Sequence, residues 1–356
     1  MTYRKQTICF AAILAGFLLA NFVIWKIYTE ELLSNRHDGG DMTRLGYVTG
    51  SKVLRNTYVD LPKQHIEMSD FHGQKIDVLT IGDSFSAGQG FGKNPYYQDF
   101  IASSNNFTVL NADPYLTDDL YMCFQPLSTL AVLYNSGFLD IIKPRYVLIE
   151  SVARYSVQRF AQAFNFSRTE PLEKVKEYYR HKKKLNEAPS VFFVNNGNFK
   201  FILNRLLYRY SDSAFADTIH VRKLRQPFFS VKNADSLLFL HEDLKYMREV
   251  TPQSIELLND NFNRIADLLK KKGIQLLYMP IVDKYDLYSD YIVNNPYPKS
   301  FFFEELRKQH RRYILIDTKD ILSNYLKKKE KDLYFPDDSH WSWKASKYIF
   351  ETVKFD

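Results

Sequence analysis

The sequence predicts a mainly parallel α/β fold, and three observations support this: short apolar, β-rich runs, helical segments between the runs, and turn residues at their ends. A parallel strand is covered by helices on both faces, so it reads as a short continuous apolar run. Alternation of such runs with helical segments indicates βαβ units. The five runs lie at 75–81, 107–111, 145–149, 274–280 and 313–317.

The pattern divides the chain into three parts. We predict that residues 1–27 form a cytoplasmic tip and a transmembrane signal anchor. Residues 28–72 are polar, which predicts a stalk or linker, and residues 73–356 are predicted to form the α/β domain. Within that domain, basic and Tyr-rich sequence from about 155 to 250 interrupts the alternation and predicts a helical insertion or cap. Further helices are predicted at 120–139, 259–272 and 344–350.

The N-terminal apolar run, residues 8–25, contains 18 residues and is interrupted only by Gly16 and Asn21. This length reaches the lower limit for spanning a bilayer. No small-residue cleavage site follows, so we interpret the run as an uncleaved signal anchor. A buried core helix is the alternative, but the run lacks a polar face. Arg4 and Lys5 favour a cytoplasmic N-terminus, which predicts a single-pass membrane protein with an extracytoplasmic (periplasmic or extracellular) C-terminal domain.

Composition restricts the classes of partner. The 356 residues include 45% apolar side chains, enough for a full hydrophobic core. The net charge of +7 is not organised into a stripe or a known module, so no nucleic-acid partner is predicted. The basic runs are interpreted as solvated helix faces, or as attraction to anionic lipid or an acidic polysaccharide. With only Cys9 and Cys123, and no metal-ligand spacing among the histidines, no metal or other cofactor is predicted.

The first candidate for chemistry is Gly82-Asp83-Ser84, directly after the first predicted strand. A serine at this turn projects from the carboxyl edge of the sheet, where α/β folds bind ligands. Its backbone N–H can point at a developing oxyanion, and Gly88 allows close substrate approach. A simple turn with a helix cap is the alternative interpretation, because Asp and Ser are both common caps.

The second candidate is the run Asp337-Asp338-Ser339-His340-Trp341 near the C-terminus. An acid two or three residues before a histidine can accept from the ring Nδ1–H, which leaves Nε2 free to take a serine proton. Serine is a poor nucleophile at neutral pH and needs such a base. The chain order Ser, Asp, His makes the two motifs together more specific than either alone.

Together these motifs resemble the SGNH (GDSL-like) hydrolase superfamily, and the Asp-x-His-Trp form resembles its branch of alginate O-acetyltransferase-like proteins. Residues 143–150 with Arg154, and residues 279–288, are also similar to that branch. The resemblance covers roughly 75–150 and 255–350. It implies a flavodoxin-like three-layer sandwich and membrane-linked acetyl transfer to, or removal from, a polysaccharide.

Carried over by position, the resemblance implies that Ser84 is the nucleophile, that His340 is the general base and then the acid, and that an aspartate orients the histidine. Asp337 matches the classical D-x-x-H spacing of the superfamily, and Asp338 matches the D-x-H-W spacing of the branch. Asp338 is favoured because Trp341 follows, but both remain open at this point.

The oxyanion hole departs from the classical superfamily. The second block begins at Asn111 and lacks the glycine, and the third block, which begins at Glu150, lacks the asparagine. Asn111 and Arg154 are candidates for binding the oxyanion or substrate, and Trp341 is a candidate for stacking on a sugar. Arg154 can instead form a salt bridge to Glu150. Loss of one oxyanion donor typically costs about 10²–10³ in rate, so an impaired enzyme is one alternative.

Three functions follow, in order of preference. The first is serine-dependent transfer of an acyl group, expected to be O-acetyl, on an exported polysaccharide or envelope glycan, or its hydrolysis, through an acyl-Ser84 intermediate. Acetyl-CoA is cytoplasmic, so a multi-spanning acyltransferase partner is expected to supply the acyl group. The second is a catalytically impaired glycan-binding or scaffold protein. The third, weaker, is D-alanyl transfer to teichoic acids.

Overall fold

The computed structural model describes residues 3–34, 40–48, 55–115, 125–181 and 191–355. Cys123 and the start of the predicted helix 120–139 lie outside these ranges. The strands are β1 Ile66–Glu67, β2 Val78–Ile81, β3 Val109–Ala112, β4 Tyr146–Val152, β5 Ile219–Lys223, β6 Ser236–Leu240, β7 Gln275–Ile281 and β8 Ile314–Leu315. The helices are α1 Tyr3–Ile24, α2 Glu30–Ser34, α3 Asp41–Gly46, α4 Tyr97–Asn105, α5 Pro126–Asn135, α6 Phe138–Ile142, α7 Ala153–Phe160, α8 Leu172–His181, α9 Gly197–Leu207, α10 Glu242–Lys245, α11 Pro252–Lys270, α12 Lys284–Tyr288, α13 Phe302–Arg307, α14 Thr318–Lys327 and α15 Trp343–Thr352.

Six strands form one parallel sheet in the order β1-β3-β2-β4-β7-β8. The register pairs Val78 of β2 with Val109 of β3 and with Tyr146 of β4, and Tyr146 with Gln275 of β7. Without the short edge strand β1, this order is that of flavodoxin-like folds, whose ligands bind where the strand order reverses. That switch point lies beside the carboxyl end of β2. The parallel sheet with flanking helices confirms the predicted fold class.

Helices cover both faces of this sheet. The chain moves one way across the sheet from β2 to β3 and the opposite way from β3 to β4, so right-handed crossovers place α4 and α5 on opposite faces. Helix α15 contacts α4 and α14, whereas α11 contacts α7 and α13. All four residues of β2 and of β3, and all seven of β4, are buried. The apolar runs that predicted strands are therefore the centre of the core.

The structure differs from the prediction in two places. The insertion predicted to be helical also contains an antiparallel hairpin, in which Ile219 of β5 pairs with Leu240 of β6. In addition, the segment predicted as a stalk contributes helix α3 and strand β1, which pairs with β3 through Ile66 and Leu110. Helix α3 and strand β1 carry too few periodic residues to be recognised in a polar sequence. Strand β6 does contain an apolar run, residues 237–240, which was not recognised among the basic, Tyr-rich sequence around it.

Helix α1 continues through a π-helical turn, Trp25–Thr29, into α2. The continuous helix Tyr3–Thr29 has a mean hydropathy of 2.4, and 6% of its apolar window is buried within the protein. By length and composition it can cross a membrane, in agreement with the predicted anchor. It is the one helix in the described ranges that meets both criteria.

Candidate active site

The turn after β2 carries Ser84 and is held from below by Glu150 of β4. One Glu150 carboxylate oxygen accepts from the backbone N–H of Asp83 (3.0 Å) and of Ser86 (3.2 Å) and from the Ser86 hydroxyl (2.8 Å). A Cβ at Gly82 would lie 2.1 Å from the Ser86 hydroxyl and 2.2 Å from the Glu150 carboxylate, so only glycine fits there. Burial, and then the charge of Asp83, raises the pKa of Glu150 well above its ordinary value.

Asp83 ties the same turn to the end of β4. Its carboxylate accepts from the backbone N–H of Val152 (3.1 Å) and of Phe85 (3.3 Å) and from the Arg159 guanidinium (2.6 Å). Burial opposes its ionisation, but the charge and hydrogen bond of Arg159 lower its pKa below the ordinary value. The acidic residue beside the serine is therefore a support for the turn rather than only a helix cap.

The early serine and the late histidine meet at the carboxyl edge of the sheet. Ser84 Oγ lies 2.8 Å from His340 Nε2, and His340 Nδ1 lies 2.7 Å from an oxygen of Asp338. The same Asp338 oxygen accepts from the His340 backbone N–H at 3.0 Å. With Nδ1–H donating to the carboxylate, Nε2 is the acceptor for the serine proton, which is the arrangement that serine nucleophiles require.

Asp337, the other aspartate left open by the sequence, is engaged elsewhere. Its carboxylate accepts from Arg55 at 3.1 Å and from the backbone N–H of Gly40 at 2.9 Å. Arg55 also donates to Asp338, at 3.0 Å. Of the two acids, Asp338 thus contacts the histidine, and Asp337 fixes the loop to the N-terminal segment.

The segment predicted as a stalk, residues 28–72, supplies a second acid to the site, Asp41 at the start of α3. Its carboxylate accepts from the Ser339 backbone N–H at 2.8 Å and from the Ser339 hydroxyl, and it lies 3.8 Å from His340 Nδ1. Burial, and then the charge of Asp338, raises the pKa of Asp41. Sequence reasoning missed Asp41 and Arg55, since neither belongs to a recognisable motif in the predicted stalk.

Lys284 also supports the loop before His340. Its ammonium donates to three backbone carbonyls: Phe335 (2.6 Å), Pro336 (3.1 Å) and Asp338 (3.0 Å). The side chain is buried, and burial lowers its pKa to about 8. The lysine in the run 279–288, which resembled the acetyltransferase branch, therefore supports the loop that carries Asp338 and His340.

The charges around His340 favour its protonated form. Burial alone would lower its pKa, but the hydrogen bond and the charge of Asp338, together with the charge of Asp41, raise it. The pKa of Asp338 is lowered despite burial, through its hydrogen bond to His340 and the charges of His340 and Arg55. The neighbouring carboxylates thus stabilise an imidazolium at this position.

The candidates for the oxyanion hole differ in what they contact. The Ser84 backbone N–H makes no hydrogen bond to another described residue, so it is open to an oxyanion. Gly88 has φ +66°, and a Cβ there would lie 2.7 Å from the Tyr96 ring. Its N–H donates to the Phe85 carbonyl at 3.3 Å. The Asn111 amide is bound within the core, to side chains of β2 and α4 and to a turn carbonyl.

Arg154 forms a buried ion pair, but not with Glu150. Its guanidinium donates to Asp283 at 2.8 Å and to Asp243 at 3.4 Å. Burial opposes the charged form, but these two carboxylates raise the pKa of Arg154. Its Nε is buried without a partner among the residues described. Arg154 thus has acidic partners other than the one that the sequence suggested.

The aromatic side chains near the site divide into core and surface. Trp341 is buried, and its ring lies edge-on to Phe85, which in turn contacts the His340 ring. Trp341 therefore packs behind the histidine. Trp343 instead lines a cavity of about 250 Å³, and its indole N–H donates to Thr57 at 3.2 Å. The other residues lining this cavity are Arg55, Ser230, Val231, Asp332, Phe335, Pro336, Ser342 and Lys344.

Within the described ranges, two groups of side chains each bring three potential metal ligands together. One is Asp41, Asp338 and His340, whose histidine Nδ1 is already engaged with Asp338. The other is Asp217, His220 and His241 on the β5–β6 hairpin, where the two imidazoles lie 3.1 Å apart. The sequence analysis predicted neither group as a metal site, although Asp338 and His340 belong to the Asp-x-His-Trp motif.

Residues 231–353 match the family model of the SGNH hydrolase-like domain of acetyltransferase AlgX. This match confirms the predicted resemblance over about a third of the chain, including β7 and the Asp338–His340 motif, whereas Ser84 lies outside it. Comparisons with curated proteins and with solved structures found no match. At this coarse level the match supports an enzyme of the hydrolase or acyltransferase type.

Proposed function

We propose that this chain, which carries an SGNH hydrolase-like domain, is a membrane-anchored serine-dependent acyltransferase or esterase that moves acyl groups, expected to be O-acetyl, on an exported glycan. The observation that carries the proposal is the Ser84–His340–Asp338 alignment, with distances of 2.8 and 2.7 Å. Two motifs separated by most of the chain have little reason to meet in this geometry unless they act together.

The proposed reaction has two steps. In the first, Ser84 Oγ attacks the carbonyl carbon of a donor ester while His340 Nε2 takes its proton. The tetrahedral intermediate then expels the donor alcohol, which receives that proton from His340, and acyl-Ser84 remains. In the second, an acceptor hydroxyl gives its proton to His340 and attacks acyl-Ser84. Collapse returns the proton to Ser84; a sugar hydroxyl completes transfer, and water completes hydrolysis.

The oxyanion of each tetrahedral intermediate needs at least one donor. The Ser84 backbone N–H is the best candidate, because it belongs to the turn that Glu150 and Asp83 hold rigid. A donor fixed before the reaction stabilises charge without a reorganisation cost. The turn therefore supports the same step as the triad.

The cavity beside Trp343 is the proposed position for an acceptor sugar. It shares Arg55 and Phe335 with the support of the catalytic loop, and it combines an indole with Asp332 and Lys344. Sugar rings bind well to such surfaces, since the indole packs against C–H groups and charged groups bind hydroxyls. Helix α1 is proposed as the membrane anchor, and the acyl donor as the product of a multi-spanning acyltransferase.

Turnover of p-nitrophenyl acetate, with and without an oligosaccharide acceptor, tests the proposal. We expect p-nitrophenol release by the wild type and none above background by Ser84→Ala. Acetylated oligosaccharide in the product marks a transferase, and acetate alone marks an esterase.

The alternative, an impaired glycan-binding or scaffold protein, is motivated by the unusual oxyanion hole. A fluorophosphonate that reacts with activated serines separates the two functions. Labelling of the wild type but not of Ser84→Ala supports the enzyme. If a folded wild type shows neither labelling nor turnover, the binding protein is the correct function.

A further inference from the structure

Helix α9, in the insertion, has two apolar faces. One face, which includes Gly197 and Phe201, is buried against the end of the anchor helix. The opposite face is a stripe with helical spacing that is exposed by about half: Phe199 (60%), Ile202 (51%), Leu203 (53%) and Leu206 (48%). A helix that is apolar on both sides normally lies in a protein core or in a membrane.

The buried face of α9 contacts α1 and its continuation. On the buried face, the Phe201 ring stacks on Tyr28 with 4.7 Å between centroids. Phe199, although it belongs to the exposed stripe, also contacts the Phe17 ring of α1, with 6.4 Å between centroids. Phe17 lies within the apolar run, eight residues or about 12 Å of helix before Trp25. Helix α9 therefore begins at the depth of the apolar span rather than beyond its end.

A polar contact joins the two helices at the same level. Asn21, one of the two residues that interrupt the apolar run, is buried and accepts from the Asn198 side chain at 2.8 Å. An amide in hydrocarbon is costly unless it is hydrogen-bonded, and such pairs between helices are typical of membrane interiors. Asn198 thus satisfies a group that would otherwise face lipid alone.

The segment before α9 and the flanks of the helix have the same character. Phe192, Phe193 and Val194 are exposed, and the Phe193 ring contacts Phe22 of α1 at 6.1 Å. Lys200 and Arg205 are exposed beside the apolar stripe. Apolar residues flanked by basic ones are typical of helices that lie in the interface of an anionic bilayer.

We propose that residues 192–207 form a second membrane-embedded element, whose stripe Phe199, Ile202, Leu203 and Leu206 contacts lipid acyl chains beside α1. The occupant is lipid because the apolar medium around residues 17–22 of α1 also surrounds the side chains packed on them. This inference rests on the proposed membrane anchoring. It adds that the insertion holds the catalytic domain to the membrane at a second point.

Spin labels on the full-length protein in anionic lipid vesicles test the inference. In a Cys9→Ser, Cys123→Ser background, single cysteines replace Leu203, Ile13 of α1 and the exposed Glu256 of α11. We expect the labels at Leu203 and Ile13 to collide readily with oxygen, which concentrates in lipid. Their collision rate with a water-soluble nickel chelate should be several-fold lower than that of the Glu256 label. Leu206→Cys provides a second site on the stripe, and a far-UV circular dichroism spectrum that matches the wild type shows that each variant is folded.

Each other result overturns the inference in a distinguishable way. If the Ile13 label is protected from the nickel chelate but the Leu203 and Leu206 labels collide with it as often as the Glu256 label does, α9 lies in water. The proposed membrane anchor is then supported, and the second membrane contact is not. If the Ile13 label also meets nickel, the anchor itself fails. If dipolar broadening at Leu203 disappears on dilution with unlabelled protein, a second copy rather than lipid covers the stripe.

Discussion

Arg55 donates to both Asp337 and Asp338, at 3.1 and 3.0 Å, although 282 and 283 residues separate it from them along the chain. All three side chains are buried. One cation from the segment predicted as a stalk thus pairs with both adjacent acids of the loop before His340.

Replacement of Arg55 by Met should destabilise the protein by about 3–5 kcal/mol, because two buried carboxylates lose their counter-charge. Arg55→Lys should recover only part of this loss, since an ammonium cannot reproduce the two-pronged contact. Urea unfolding of the three proteins measures the differences. An unchanged midpoint for Arg55→Met would show that the pair contributes nothing to stability.

The two aspartates should differ in their effect on turnover. Asp338→Asn should lower kcat by roughly 10³–10⁴-fold, because the amide favours the wrong histidine tautomer. Asp337→Asn leaves the histidine contact in place and should mainly lower stability, by about 1–3 kcal/mol. Steady-state kinetics with p-nitrophenyl acetate and thermal melting separate the two effects. Equal losses of kcat would contradict the assignment of Asp338.

The pH dependence of turnover should report His340. The general base must be neutral, so activity falls as the pH drops through its pKa, which is raised above the ordinary 6.5. The charge of Asp41 contributes to that rise, so Asp41→Asn should move the acid limb of kcat/KM to lower pH. The asparagine can still accept from the Ser339 N–H. A limb that stays in place would remove Asp41 from the electrostatics of the site.

His65 should make stability depend on pH above neutrality. It lies between Asp99 (2.6 Å) and Glu67 (3.1 Å). Burial alone would lower its pKa, but these carboxylates raise it to about 9. Because the folded value exceeds the unfolded one, the stabilisation is complete below about pH 6.5 and is lost as the pH rises through about 9.

The size of this effect is roughly 3 kcal/mol, from a difference of about 2.5 pKa units. His65→Gln should therefore be less stable than the wild type at pH 6, and the gap should narrow by pH 9.5. Denaturant unfolding at both pH values measures it. The two proteins must be compared at each pH, because Lys284, whose pKa is lowered to about 8, makes the folded protein more stable as the pH rises above 8. A gap independent of pH would mean that His65 is not charged.

Trp343 should affect the acceptor more than the donor ester. Trp343→Ala removes the indole that lines the cavity, so acetylation of an oligosaccharide should fall by roughly tenfold relative to hydrolysis of p-nitrophenyl acetate, equivalent to about 1.4 kcal/mol. Trp343→Phe keeps an aromatic face and serves as the matched control. Parallel loss of both activities in Trp343→Ala would place the acceptor elsewhere.

Local patterns predicted five of the six strands of the sheet, because these strands are short apolar runs. The meeting of Ser84 with His340 was predicted from the two motifs together and from the family that they resemble, since Ser84 follows a strand whereas His340 lies in the loop before α15. The supports of the site were not predictable in this way. Asp41 and Arg55 acquire their roles only through contacts with residues almost 300 positions later.

The insertion was predicted to be helical, but the exposed apolar stripe of helix α9 escaped prediction for a different reason. The insertion was interpreted as basic and Tyr-rich, and its positive residues concealed the apolar stripe at Phe199, Ile202, Leu203 and Leu206. The meaning of such a stripe depends on what lies beside it. Only the contact between Phe199 and Phe17 of α1 shows that the stripe lies beside the apolar part of that helix.

The contact between Asp41 and Ser339 limits where chemistry can take place. Twelve residues separate Thr29, the last residue of the apolar helix, from Asp41, so even a fully extended chain would reach at most about 40 Å. Because Asp41 contacts Ser339, the residue next to His340, the site is held within about that distance of the end of the apolar helix. Under the proposed function, an exported glycan would be modified only where it passes close to the bilayer, and segments that have already moved away would keep the pattern set there.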